Sequence, residues 1–394
     1  MQMESREPNT NLPLGSIIDG ASRRQTVEKT TGRESGSKRR PLMKSERDDD
    51  SQSSVGKPLL PRTATCPLCG RSGASQLFLN YDRVHRLPGI FGLYRCGGCD
   101  AIFIQPWLSE AELARYYPEQ YGRFRHSRSL NEKTYTGWQR FVLENYYGYP
   151  APTDHHSSSL KKVVAHLLSF ITAKAVIPYR GTGRILDVGC GGGSYLHRLK
   201  QWGWDACGVE PSQIGTKQAQ SLGLTVRHGM LADARFESEF FDVVRLSNVL
   251  EHIRDPIPTF QEIQRILKSD GLVYLTVPNT RSLVFWLFQE NWYALETPRH
   301  VISYCPRTLE ALCRATGFEI ARLTFASGPF NFVRSVRYFF EERGKHWPNW
   351  LRRIRWDQSK FIRRVLKPCF LIIDGSGYGD FLHATLRKKT ARDY

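Results

Sequence analysis

From Arg184 onward the sequence predicts an α/β fold in which a parallel sheet is covered by helices on both faces. Short apolar runs alternate there with helix-length amphipathic segments, the pattern of strand–helix–strand units. The series opens on an apolar run, Ile185, Leu186, Asp187 and Val188, that enters a glycine-rich turn from Gly189 to Gly193. With 394 residues, 40% of them hydrophobic, the chain can bury one large core or two modest ones, which excludes disorder throughout.

Seven strands are expected. Residues 185–188, 206–209, 225–227, 243–246 and 273–277 are apolar runs, with helices predicted from about Ser194, Ser212 and Pro256 between them. A helix near 306–316 and strands at 318–325 and 381–386 complete the count. More than 50 residues separate the last two strands, and a connection of that length should carry its own structure. Residues 327–380 are accordingly read as a basic helical insertion, with Trp347, Trp350 and Trp356 among its arginines.

Ahead of the sheet, polar residues 1–60 show neither apolar period and predict a disordered tail. Residues 61–124 form a small cysteine-bearing module. Residues 125–180 are an aromatic connector whose helix, over 160–177, is ended by Pro178 and Gly181. The main domain spans 181–394.

Lys and Arg number 56 against 38 Asp and Glu, a formal net charge of +18. That excess favours polyanionic or membrane-surface partners without naming one. No run of about 18 apolar residues suggests a membrane span. The first 30 residues lack the apolar middle of a secretory signal, which predicts a reducing, cytoplasmic setting.

The glycine turn spaces its residues as DxGxGxG through Asp187, Gly189, Gly191 and Gly193. A dinucleotide loop needs GxGxxG, and the last of those positions is Ser194 here. A pyrophosphate is best served by a helix N-terminus with no carboxylate beside it, whereas Asp187 favours a cationic, amino-acid-like ligand. Glu210 ends the next strand, where a doubly wound sheet offers a carboxylate to the two hydroxyls of a ribose. The bland alternatives are a ligand-free turn and a Glu210 that merely caps the helix starting near Ser212.

These residues, with Phe241, Asp242, Val243, Val244 and the phrase Asn248, Val249, Leu250, Glu251, His252, Ile253, Arg254, Asp255, Pro256, resemble class I S-adenosylmethionine-dependent methyltransferases over roughly 184–325. The resemblance implies a doubly wound, seven-stranded Rossmann-like sheet. It also implies that Gly189, Cys190, Gly191 and Gly193 pass under the methionine part of the cofactor, that Asp187 helps hold its amino group, and that Glu210 takes the ribose hydroxyls. On the adenine side the resemblance points either to Met230 and Leu231, through backbone and apolar contacts, or to the nearest acid, Asp233. It implies that Asn248 contributes to the cofactor pocket.

Cys66 and Cys69 form one CxxC turn and Cys96 and Cys99 another, 26 residues apart. Two such pairs complete a closed four-thiolate zinc site, which is structural because it leaves no position for water. Redox-active dithiols are the rival reading and would not need the second pair. The module, through Phe103, Pro106 and Glu112 to Tyr121, resembles the zinc ribbon that precedes the catalytic domain of bacterial sugar and small-molecule methyltransferases.

His252 and His300 are the candidate bases, since an imidazole suits taking a hydroxyl proton near neutrality. The resemblance implies that Glu251 and His252 lie near the cofactor end of the pocket and that Pro298, Arg299 and His300 line the acceptor side. Trp292 and Tyr293 can stack on an acceptor or pack in the core. From Asn331 to Tyr394 the chain has fifteen Lys and Arg against six Asp and Glu, so an anionic membrane surface is a candidate partner. The expected substrate is a small molecule, a sugar or a glycan or lipid precursor. RNA is the weaker alternative, because the position after the fourth main-domain strand reads Ser247, Asn248, Val249, Leu250 rather than Asn-Pro-Pro-Tyr. A non-enzymatic zinc-ribbon adaptor is disfavoured by the intact glycine turn and acids.

Overall fold

A computed structural model describes residues 60–118, 137–150, 158–172, 176–342 and 360–389. The expected N-terminal tail and Trp347, Trp350 and Trp356 lie outside the described residues.

The large sheet has seven strands: β5 (Arg184–Val188), β6 (Asp205–Glu210), β7 (Thr225–His228), β8 (Phe241–Ser247), β9 (Leu267–Pro278), β11 (Phe318–Ala326) and β12 (Phe381–Lys388). Their order across the sheet is β11-β12-β9-β8-β5-β6-β7. From β9 through β7 the pairings are parallel, whereas β12 runs antiparallel to both β9 and β11. The sheet is therefore mixed, because the last strand inserts between two strands that precede it. Parallel central strands are buried on both faces, and the side chains of Ile185, Val243, Val244 and Val273 have no exposed surface.

The helices α4 (Ser194–Gln201), α5 (Gln213–Ser221), α6 (Pro256–Ile266) and α8 (Pro306–Thr316) provide the crossovers. Pro256 and Pro306 sit at the first helical position, where a missing N–H costs nothing. Before the large sheet come α1 (Glu110–Ala114), α2 (Gly137–Asn145) and α3 (Ser159–Thr172); α7 (Leu283–Phe288) follows β9, and α9 (Pro329–Glu342) and α10 (Lys360–Gly375) fall between β11 and β12.

The cysteine module builds a second sheet from β1 (Thr63–Ala64), β2 (Ala74–Tyr81), β3 (Ile90–Arg95) and β4 (Ile102–Gln105). Its fifth strand, β10 (Ile302–Ser303), comes from beyond β9 and pairs antiparallel with β4. This strand exchange joins the module to the main domain through backbone hydrogen bonds, reinforced by Ile104 N–H donating to the Val301 carbonyl at 3.2 Å. One buried cluster accordingly runs from Cys66, Leu68, Tyr94 and Phe103 to Tyr304, Leu246 and Val277.

Candidate active site

The glycine turn lies at the carboxyl edge of β5. Gly189, Gly191 and Gly193 have φ of +67°, +55° and +77°, a region that costs any residue with a Cβ. A Cβ on Gly189 would fall 2.6 Å from Val249 Cγ2, and one on Gly193 would fall 2.5 Å from Leu224 Cδ1. Packing alone demands glycine at both. A Cβ on Gly191 would meet nothing within 4 Å, so the middle glycine borders open space at the position where a ligand would cross the turn.

Glu210, buried at the end of β6, accepts the Gly191 N–H at 2.7 Å through Oε2 and the Ser212 N–H at 2.9 Å through Oε1. Burial pushes its carboxyl above the ordinary range, against the pull of those two N–H groups. Ser212 itself caps α5, accepting the Gly215 N–H at 3.2 Å. Glu210 thus braces the helix entrance and the glycine turn together, combining the capping role with a carboxylate placed at the turn.

Asp187 is buried, and its Oδ1 accepts from the Arg245 guanidinium at 2.6 Å. Burial raises its carboxyl, and Arg245 opposes that. Arg245 in β8 also lies 3.9 Å from the centroid of the Tyr195 ring. The direct carboxylate–ammonium contact expected of Asp187 is thereby modified, because any cationic ligand shares this carboxylate with Arg245. A charged residue inside the apolar run 243–246 was the sequence signal for this partner.

The residues expected on the adenine side fall beyond β7. Met230 is exposed, and its N–H donates to Asp233 Oδ2 at 3.1 Å, while Leu231 is buried. Asp233 therefore closes its own turn. Asn248 adopts φ +54° just after β8, with its N–H donating to the Thr276 carbonyl at 2.8 Å. Burial, with Asp187 and Glu210 nearby, raises the Cys190 thiol and keeps it protonated.

The chain turns after β8 and brings Glu251 and His252 against His300. The two imidazole centroids are 4.7 Å apart. His300 Nδ1 is 2.8 Å from the Ala294 carbonyl, and His252 Nδ1 is 3.0 Å from the Arg299 carbonyl and 2.9 Å from Tyr117 Oη. His300 Nε2 lies 3.8 Å from Glu251 Oε1 and 3.6 Å from Glu296 Oε2. The two expected histidines thus converge, joined by Glu251 and by Tyr117 of the cysteine module. Trp292 is buried against Phe285, with ring centroids 5.3 Å apart, so it belongs to the core and not to an acceptor surface. Tyr293, half-buried, packs on Phe330 and Tyr338.

In the module, the Cys66 and Cys99 sulfurs are 3.7 Å apart and those of Cys69 and Cys96 3.5 Å, with all four within 4.8 Å of one another. A tetrahedron with zinc–sulfur bonds of about 2.3 Å has edges of about 3.8 Å, so the four-cysteine group fits a zinc ion. The Gly98 N–H donates to Cys96 Sγ at 3.3 Å, and Thr308 Oγ1 donates to the Cys99 carbonyl at 2.9 Å. Outer contacts of this kind orient metal ligands, and Thr308 comes from α8 of the main domain.

The strand order and the glycine turn at the carboxyl edge of β5 define a Rossmann-like α/β fold preceded by a four-cysteine module. Residues 156–323 match a family described as a methyltransferase domain. A ubiquinone biosynthesis O-methyltransferase from Haemophilus ducreyi is 35% identical over 107 residues, 24% of this chain and 45% of that protein. The same-named protein from Azorhizobium caulinodans is 29% identical over 163 residues, 38% of this chain and 64% of the relative. The chain thus spans about half the length of the first of these relatives. Among solved structures, a SAM-dependent methyltransferase from Archaeoglobus fulgidus is similar with a TM-score of 0.37 and 20% identity, covering 59% of this chain and 95% of that one.

Proposed function

We propose that this protein transfers the methyl group of S-adenosylmethionine to a hydroxyl of a small molecule, a sugar or a glycan or lipid precursor. The observation that carries this reading is the open space at Gly191, whose N–H is held by Glu210. Glu210 would take the ribose hydroxyls, and Asp187, shared with Arg245, would face the amino group. When bound, S-adenosylmethionine supplies a sulfonium-activated methyl group. Transfer is an in-line displacement in which alignment and water exclusion supply much of the rate. The Glu251, His252 and His300 cluster would draw the proton from the acceptor hydroxyl. The names of the ubiquinone biosynthesis relatives favour oxygen as the acceptor atom, and the zinc-ribbon resemblance favours a sugar-like molecule.

The test is incubation of the purified protein with methyl-labelled S-adenosylmethionine and fractionated cell extract. Label should enter a small-molecule or lipid fraction. Label confined to RNA, or absent from every fraction, contradicts the reading.

We further propose that α10 touches an anionic membrane surface. It exposes Val365, Leu371 and Ile372 on a helix that also carries Arg364 and Lys367, and basic amphipathic helices bind anionic headgroups. Among the described residues no helix is long and apolar enough to cross a membrane. Flotation should recover more protein with anionic than with neutral vesicles; equal recovery removes the idea.

A further inference from the structure

We infer that Glu251, His252 and His300 hold a divalent transition-metal ion at the acceptor end of the pocket, separate from the four-cysteine site. This deepens the proposed function by saying how the cluster activates a hydroxyl, and it rests on that reading only for its chemical role. One ligand atom from each of the three residues lies within 4.8 Å of those from the other two. The His300 Nε2 to Glu251 Oε1 distance of 3.8 Å suits two ligands of one ion with bonds of about 2.0–2.2 Å.

The tautomers agree with ligation. A carbonyl oxygen only accepts, so the Ala294 carbonyl beside His300 Nδ1 and the Arg299 carbonyl beside His252 Nδ1 each call for a proton on Nδ1, which at His252 is shared with Tyr117 Oη. The lone pair then sits on Nε2 of both rings. Metal-bound imidazoles are oriented in this way, donating their other N–H to a backbone carbonyl or carboxylate. Glu251 and His300 are buried, so their donor atoms face one another away from bulk water.

Two imidazoles and one carboxylate form a donor set for zinc or a neighbouring divalent ion, with further coordination positions left open for an oxygen ligand. A hydroxyl bound there loses its proton to water nearer neutral pH. The cation does the work that a proton-accepting Nε2 would otherwise do. Val249 packs on Gly189, which places Glu251 two residues from the wall of the cofactor turn.

The experiment titrates cobalt(II) into full-length protein whose cysteine site is already zinc-loaded, following visible absorption. Nitrogen- and oxygen-bound cobalt should add one saturable equivalent with weak bands and without thiolate charge transfer. Glu251→Gln and His300→Ala should each weaken that equivalent by more than the roughly 100-fold that outer-shell changes cost. Zinc content should stay at one per chain. His252→Ala provides a third variant, and circular dichroism identifies which variants are folded. Failure of the wild type to take up the added equivalent overturns the inference, as does undiminished cobalt affinity in the folded variants. Calorimetry with S-adenosylmethionine on the same samples separates the two readings: cofactor binding without cobalt uptake removes the ion and leaves the methyltransferase assignment in place.

Discussion

Arg299 and Asp82 pair at 2.7 Å with neither side chain exposed, and they belong to different parts of the chain. Asp82 follows β2 of the cysteine module, while Arg299 lies next to His300 in the main domain. Arg299 also donates to Asp82 Oδ2 at 3.2 Å, to the Tyr116 carbonyl at 2.9 Å and to Glu296 at 3.1 Å. The ion pair thus fixes the backbone whose Arg299 carbonyl orients His252.

Removing one member of a buried pair strands the other charge, at a cost of about 3–5 kcal/mol. Arg299→Met should lower unfolding free energy by that order in urea titrations, and unchanged stability would contradict the role of the pair. Burial raises the Asp82 carboxyl, but Arg299 and the Val84 and His85 N–H groups reverse this and bring it below its ordinary value of 3.8. Its folded value is depressed, so its contribution is present above about pH 3.8 and is lost as pH falls through the folded value. Asp82→Asn should flatten that acid limb of the stability curve.

Asp380, just before β12, behaves in the opposite sense. Burial raises its carboxyl from 3.8 to about 7, so the folded state holds a proton that the unfolded state has lost. The stability this group contributes is full below pH 3.8 and disappears as pH rises through about 7, a change of about 4 kcal/mol. Urea titrations of Asp380→Asn across pH 4 to 8 should show a shallower decline than the wild type. An identical decline would contradict the assignment.

Two glycines of one turn should respond differently to alanine. At Gly189 the new methyl meets Val249 at 2.6 Å, so Gly189→Ala should lower thermal stability. At Gly191 the methyl enters open space, so Gly191→Ala should cost only about 1–2 kcal/mol of backbone strain and should mainly weaken S-adenosylmethionine binding. Melting curves beside calorimetric titrations check the contrast, and equal cofactor affinity in Gly191→Ala and wild type would show that no ligand crosses there.

Metal analysis should find zinc on the cysteine module, and Cys99→Ser should lose it. Because β4 pairs with β10 and Thr308 holds the Cys99 carbonyl, zinc loss should also lower the melting temperature of the main domain. Zinc loss without any change in melting would contradict that linkage.

The periodic parts of this architecture are local and were readable. The central strands β5, β8 and β9 each carry a short apolar run, and each CxxC pair is four consecutive residues. The antiparallel insertion of β12 was not readable, since strand direction depends on a connection of more than 50 residues. Neither was β10, which spans two residues and exists only because β4 supplies its partner. Arg245 stood inside an apolar run as a visible anomaly, but its partner Asp187 lies 58 positions away. Asp82 and Arg299 are 217 positions apart, and nothing local distinguishes a buried ion pair from an exposed one.

Calorimetric titration of S-adenosylmethionine into the wild type and Glu210→Gln tests the central claim most directly. One site per chain in the wild type and at least a roughly tenfold weaker one in the variant, on the order of 1.4 kcal/mol, is the expected result. An absence of binding heat in the folded wild type, or equal affinity in both proteins, would contradict it.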